Sequence, residues 1–250
     1  MPLFRFLLLM LCCGSVQASE LLVSAAASLN QAFTEIAREY ESAHPETQVV
    51  LNFAASGLLL QQIAKGAPVD VLAVADQQTM DAAQQQNLIT AQTRRDFAGN
   101  ALVVVVPQAS ALTLKALKDL QSAGISRIAI GNPDAVPAGR YAQSALEKAG
   151  LWSALQERLI GTQNVRQALA YAARNEVDAA FVYRSDISTA ANKVREAFEV
   201  HLPVPVRYPL ATVRSSPKQA EAQRFEDFVR SVQGQNILRS HGFVPLDELP

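Results

Sequence analysis

Leu21-Leu22-Val23-Ser24-Ala25-Ala26-Ala27-Ser28-Leu29 is an apolar run that passes through small residues to a serine, and Val49-Val50-Leu51-Asn52-Phe53-Ala54-Ala55-Ser56-Gly57 does the same. After the first run, Leu29, Phe33, Ile36 and Tyr40 recur at helical spacing. Ser28 with Gln31 has the pattern of a capping box at that helix's start, and His44-Pro45 closes it. After the second run a helix is expected over 58–65, stopped by Gly66. Asp70-Val71-Leu72-Ala73-Val74 begins a third unit, with Asp76 as the cap of a polar helix running through Gln86. Strand, loop and helix thus alternate from the start, which is the pattern of an α/β fold.

The alternation continues outward from this segment. Leu102-Val103-Val104-Val105-Val106, ended by Pro107, has the continuous apolarity of a strand buried on both faces. Helices are expected near 114–122, over 140–149 and over 165–174, with a short one beginning at Trp152; strands are expected over 127–130, 179–183 and 208–213. The remainder is helical, with Phe225, Phe228, Val229 and Val232 on one face. No flexible linker separates these units. Two lobes joined by crossing strands are therefore expected, the first crossing near 100–106 and the return near 204–213. Lobe one would be discontinuous, residues 19–101 with 206–250, and lobe two would be residues 102–205.

Composition narrows the function. The 250 residues carry 22 Lys+Arg against 23 Asp+Glu, a formal charge of -1, which argues against a basic nucleic-acid footprint. Residues 1–18 have the form of a signal peptide: Arg5, then Phe6-Leu7-Leu8-Leu9-Met10-Leu11-Cys12-Cys13, then Val16-Gln17-Ala18 as a small-x-small cleavage site. Export follows, with acylation of Cys12 or Cys13 as the alternative fate of the N-terminus. Both cysteines fall in the removed segment, leaving no thiol for catalysis, disulfides or soft-metal ligation. His44, His201 and His241 share no spacing that forms a ligand pair. There is no defensible Ser–His–Asp spacing, paired carboxylate or Gly-x-x-x-x-Gly-Lys loop, so an enzyme is not expected.

The chemistry that remains lies at helix N-termini, whose free N–H groups attract anions. In an open α/β sheet they collect at the carboxyl ends of the strands. Ser28 and Ser56 occupy equivalent places and can each offer a hydroxyl and an N–H; plain helix capping is the competing use of either serine. The turn-rich 131–139 loop brings Ala138 to the start of a helix, Asn164-Val165 opens another, and Tyr183 ends a strand. Packing alone would explain Ala138 and Val165 singly, and Tyr183 could be a core aromatic with a polar tip.

Ala25-Ala26-Ala27-Ser28-Leu29, Phe53-Ala54-Ala55-Ser56, Gly66-Ala67-Pro68-Val69-Asp70-Val71, Val136-Pro137-Ala138-Gly139-Arg140-Tyr141 and Val182-Tyr183-Arg184-Ser185-Asp186 together resemble the signatures of the periplasmic molybdate-binding proteins of molybdate ABC importers. The resemblance extends over essentially the whole chain after residue 18. It implies a type II periplasmic binding-protein fold, an α/β fold whose two lobes close over a tetrahedral oxyanion by a hinge motion. It implies a periplasmic solute receptor, a monomer, that captures molybdate, and tungstate with it, for an ABC transporter permease in the inner membrane. Carried over by position, the ligand donors are Ser28 and Ser56 by hydroxyl and N–H, Ala138 and Val165 by N–H, and Tyr183 by hydroxyl, with no cofactor and no direct protein–metal bond. Ala55 departs from a serine common in the family, and Arg140 and Arg184 stand at variable positions beside the site. A donor-only pocket suits a fully deprotonated dianion, whereas phosphate retains a proton near neutral pH and calls for an acceptor carboxylate. Asp70, Asp76, Asp134 and Asp186 are expected instead as caps and turn formers. Sulfate, thiosulfate, or an organic carboxylate held by Arg140 or Arg166 stays open as the alternative ligand.

Overall fold

The first three strand–helix units build one half-sheet. β1 (Ser19–Ala26), α1 (Asn30–Ala43), β2 (Thr47–Ala54), α2 (Ser56–Ala64), β3 (Val71–Ala73) and α3 (Gln77–Gln85) follow the expected alternation, and β1 lies parallel to both β2 and β3. This computed structural model describes residues 19–248, so the export segment expected over 1–18, with Cys12 and Cys13, lies outside the described residues. On α1, Ala32, Phe33, Ile36, Ala37 and Tyr40 form the buried face. Phe33 and Tyr40 pack edge-on against Phe225, which ties the first helix of the chain to a late one.

β4 (Arg95–Asn100) follows, a strand that local sequence conceals because Asp96, Gly99 and Asn100 are poor strand formers. After Ala101 the chain enters a second sheet as β5 (Leu102–Pro107), whose residues are all buried. Its neighbours β8 and β9 both run antiparallel to it, so the apolar run marks a central position and not a parallel one. The helix expected near 114–122 is only a 3-10 turn, Leu117–Gln121. There the Asp119 carboxylate accepts the N–H groups of Lys115 and Ala116 and tightens the chain locally.

The second sheet is completed by β6 (Ile128–Gly131), α4 (Pro137–Lys148), α5 (Trp152–Leu155), β7 (Leu159–Thr162), α6 (Val165–Ala173), β8 (Ala179–Tyr183), α7 (Arg184–Ile187) and β9 (Val194–Glu199). β10 (Val206–Thr212) returns to the first sheet, antiparallel to β3 and β4, and α8 (Gln219–Arg230), α9 (Val232–Ser240) and a 3-10 turn, Leu246–Glu248, finish the described chain. The orders are β2-β1-β3-β10-β4 and β7-β6-β8-β5-β9. The chain passes between the sheets at Ala101 and again between Glu199 and Val206.

Candidate functional site

Four strands, β1, β2, β6 and β7, each release the chain into a helix or 3-10 turn at their carboxyl ends, and β8 ends on Tyr183. All five residues singled out above meet around one small cavity: Ser28 and Ser56 from the first sheet, and Ala138, Val165 and Tyr183 from the second. Small residues, among them Ala26, Ala55 and Ala75, form much of the remaining wall.

Ser28 does not form the capping box expected with Gln31. It lies inside a 3-10 turn, Ala27–Leu29, and the N-cap of α1 is Leu29, without a side-chain bond. Its Oγ lies 3.0 Å from the Tyr208 hydroxyl. Ser56 is the first residue of α2, with Ala55 at the N-cap. Its Oγ accepts the Ala75 N–H at 3.1 Å, so the serine hydrogen remains to be donated.

Ala138 sits in the first turn of α4 behind Pro137, which has no N–H and a φ suited to a helix start. Gly139 explains how closely this turn approaches β6: a Cβ there would stand 1.9 Å from the Gly131 carbonyl oxygen. Val165 opens α6 after Asn164, whose side chain accepts the Gln167 N–H at 3.0 Å. First-turn N–H groups have no carbonyl one turn behind them, so Ser56, Ala138 and Val165 each bring a free donor to the cavity.

Tyr183 is 1% exposed, and its hydroxyl has no hydrogen-bond partner among the described residues. Burial raises its pKa well above the usual tyrosine value, so it stays a phenol and a donor. A buried polar group without a partner is uncommon, and this one stands on the wall of the cavity, where an acceptor placed in the cavity would meet it.

The charged residues near the site are already engaged. Arg140 donates from Nε and Nη2 to Asp76 at 2.9 and 2.7 Å and from Nη2 to Thr79 Oγ1 at 2.8 Å. Arg166 pairs with Asp186 at 2.9 Å and donates to the Ser28 carbonyl at 3.3 Å. Each guanidinium is thus paired with a carboxylate of the chain itself, which competes with an organic carboxylate for it. Arg184 turns outward to Glu196 and Glu199, at 2.7 and 2.8 Å, so it is not a neighbour of the ligand space. Asp76 caps α3 as expected; Asp186 is instead the third residue of α7, where its carboxylate accepts the Tyr183 N–H at 3.1 Å, and Asp134 lies in a turn. Asp70 departs from that role: it accepts the Leu22 N–H and the Ser216 hydroxyl, and so holds a strand end. Burial pushes the Asp186 carboxyl up to about 6 against the opposing pull of Arg166.

Sequence reasoning did not find Tyr208, Asn100 or the Ala75 N–H. Tyr208 carried no local signal, because its partner Ser28 lies 180 residues away.

Residues 21–244 match the family model of bacterial extracellular solute-binding proteins. The chain is 37% identical over 237 residues to the molybdate-binding protein ModA of Escherichia coli (strain K12), covering 92% of this chain and 91% of that one. It is 31% identical to the ModA of Haemophilus influenzae, covering 90% of each. Among solved structures, the Azotobacter vinelandii periplasmic molybdate-binding protein matches with a TM-score of 0.80 at 26% identity, over 92% of this chain and 99% of that one. The sulfate-binding protein SubI of Mycobacterium tuberculosis H37Rv matches with a TM-score of 0.79 at 18% identity, over 92% and 88%, which is a likeness of fold alone. The architecture is the two-lobe type II periplasmic binding-protein fold. With its two sheets, its interlobe cavity and a match over nearly all of its described length, this chain belongs to the bacterial extracellular solute-binding protein family.

Proposed function

We propose that this protein captures molybdate, and tungstate with it, in the Ser28–Ser56–Tyr183 cavity and delivers it to the permease of an ABC importer. The observation that carries the reading is the polarity of the cavity: a phenol hydroxyl without a partner, a serine whose oxygen already accepts from the chain, and helix-start N–H groups, with no carboxylate in the wall. A fully deprotonated tetrahedral dianion accepts from every one of these. Ser28 and Ser56 serve by hydroxyl and N–H, Ala138 and Val165 by N–H, and Tyr183 by hydroxyl. Similarity to the two ModA proteins supports molybdate as the ion.

The lobes in this reading are residues 19–101 with 206–250, and residues 102–205, a division supported by the sheet membership of β1 to β4 with β10 and of β5 to β9. The protein acts as a monomer in the periplasm, exported by residues 1–18. It uses no cofactor and does no chemistry on its cargo. Calorimetric titration with molybdate, tungstate, sulfate and phosphate at one pH and ionic strength tests this. Tight one-to-one binding of the first two with silence from the others is the expected result. Sulfate binding as tight as molybdate makes the protein a general oxyanion receptor, and silence from all four overturns the reading.

A further inference from the structure

A serine hydroxyl has one hydrogen, and nothing in Ser28 itself directs that hydrogen into the cavity. The direction comes from behind it. Asn100 ends β4, where the chain leaves the first sheet, and its Oδ1 accepts the N–H groups of Ala101 at 3.0 Å and Ser185 at 3.4 Å. Two backbone donors on one oxygen fix the orientation of the amide, so Nδ2 faces the other way. Nδ2 donates to Ser185 Oγ at 2.8 Å and to the Tyr208 hydroxyl at 3.4 Å. Tyr208 is fully buried and held as a phenol by that burial, and its single hydrogen is left for Ser28 Oγ at 3.0 Å. Ser28 Oγ is then an acceptor on the protein side, and its own hydrogen is the free one. Ala75 N–H imposes the same polarity on Ser56 by a different route.

We propose that Tyr208, oriented by Asn100, is a positioning residue that fixes the Ser28 hydroxyl as a donor into the ligand cavity. The inference rests on the ligand role of Ser28 given above. It extends the ligand set backward to the interlobe crossing: Asn100 bonds to Ser185 of α7 on one side and to Tyr208 of β10 on the other. The site thereby selects an oxyanion that presents only acceptors at this position.

The test is a double-mutant cycle, with molybdate affinities taken from competition titrations so that weak binding is measurable. Tyr208→Phe removes one oxygen and keeps the edge-on ring contacts with Phe97, Tyr183 and Phe243. It is expected to weaken molybdate binding by roughly three- to tenfold, the scale of one hydrogen bond, and to have almost no effect in a Ser28→Ala background. Asn100→Asp is the second variant. It replaces the amide donor by an acceptor, draws the Tyr208 hydrogen away from Ser28, and is expected to weaken binding with the same dependence on Ser28. Mere loss of packing, or repulsion from an added carboxylate, would persist undiminished in the Ser28→Ala background. Losses of equal size in both backgrounds overturn the inference alone. A wild-type protein that binds no molybdate overturns the proposed function and this inference with it.

Discussion

In the proposed function, Tyr183 is a single residue poor for the fold and suited to a ligand. Its ring packs against Tyr208 at 5.7 Å between centroids, while its hydroxyl is buried without a partner among the described residues. Leaving a buried hydroxyl unsatisfied costs about 1–3 kcal/mol, and a hydrogen bond to a charged group contributes about 1.5–3 kcal/mol. Tyr183→Phe is therefore expected to weaken molybdate binding about tenfold or more while leaving the melting temperature of the unliganded protein unchanged or higher. Calorimetry and thermal melts without ligand check the two halves, and a variant that binds as tightly as wild type removes Tyr183 from the donor set. The serines differ in this respect. Truncating Ser56 also strands the Ala75 N–H, so its effect on stability and its effect on affinity are joined.

At the scale of elements, the helix starts define the site and the helix–sheet contacts hold it. Gly139 lets α4 begin against the backbone of β6, a close approach that gives the Pro-Ala-Gly stretch a physical reason. Behind the first sheet, α8 packs Glu226 against β10, where its Oε1 accepts the Thr212 hydroxyl at 2.5 Å. Burial pushes the Glu226 carboxyl up from 4.5 to about 7; Asp227 adds to the rise, while Thr212, Arg95 and Arg230 oppose it. The folded state thus holds this proton more tightly than the unfolded chain. That contribution to stability is full below about pH 4.5 and is lost as pH rises through 7. Glu226→Gln keeps the acceptor for Thr212 and has no charge to bury. Its melting temperature should exceed that of wild type by several degrees at pH 8 and match it near pH 4.5, on a scale of roughly 2–4 °C per kcal/mol. An equal difference at both pH values would show that charge burial is not the cause. Asp186 has the same sign, since its carboxyl is raised to about 6.

In the whole molecule, the cavity exists only while the two lobes are together, and several bonds hold them so. Gly57 N–H donates to the Ala135 carbonyl at 2.9 Å, Arg166 reaches the Ser28 carbonyl, and Arg140 joins Asp76 and Thr79. Asp76 and the Arg140 side chain are only 6% and 18% exposed, so the pair is far less screened than a surface ion pair. These ties favour the closed form, and a ligand bound there is released only when they open. Arg140→Gln is expected to speed molybdate release about tenfold with little change in the association rate, because it touches closure and not the ligand. Stopped-flow binding separates the two rates. A fall confined to the association rate would mean that Arg140 steers the anion and does not latch the lobes.

The sequence by itself determined the alternation of strands and helices, the return of the chain to its first sheet, and the positions of Ser56, Ala138, Val165 and Tyr183 at the starts of helices or the end of a strand; it placed Ser28 after β1 but not in the 3-10 turn that replaces the expected cap. These are local facts, carried by periodicity, caps, prolines and glycines within a few residues of one another. It did not reveal β4, β7 or β9, whose strand character comes from neighbours across the sheet rather than from their own residues. Nor could it tell that Arg140 and Arg166 are occupied by Asp76 and Asp186, or that Ser28 is backed by Tyr208 and Asn100. Those partners lie 64, 20, 180 and 72 residues away along the chain (140 - 76, 186 - 166, 208 - 28 and 100 - 28). A hydrogen bond depends on separations of about 3 Å and on direction, and over such distances along the chain only the tertiary fold, within one sheet and its helices or between the two, brings donor and acceptor together.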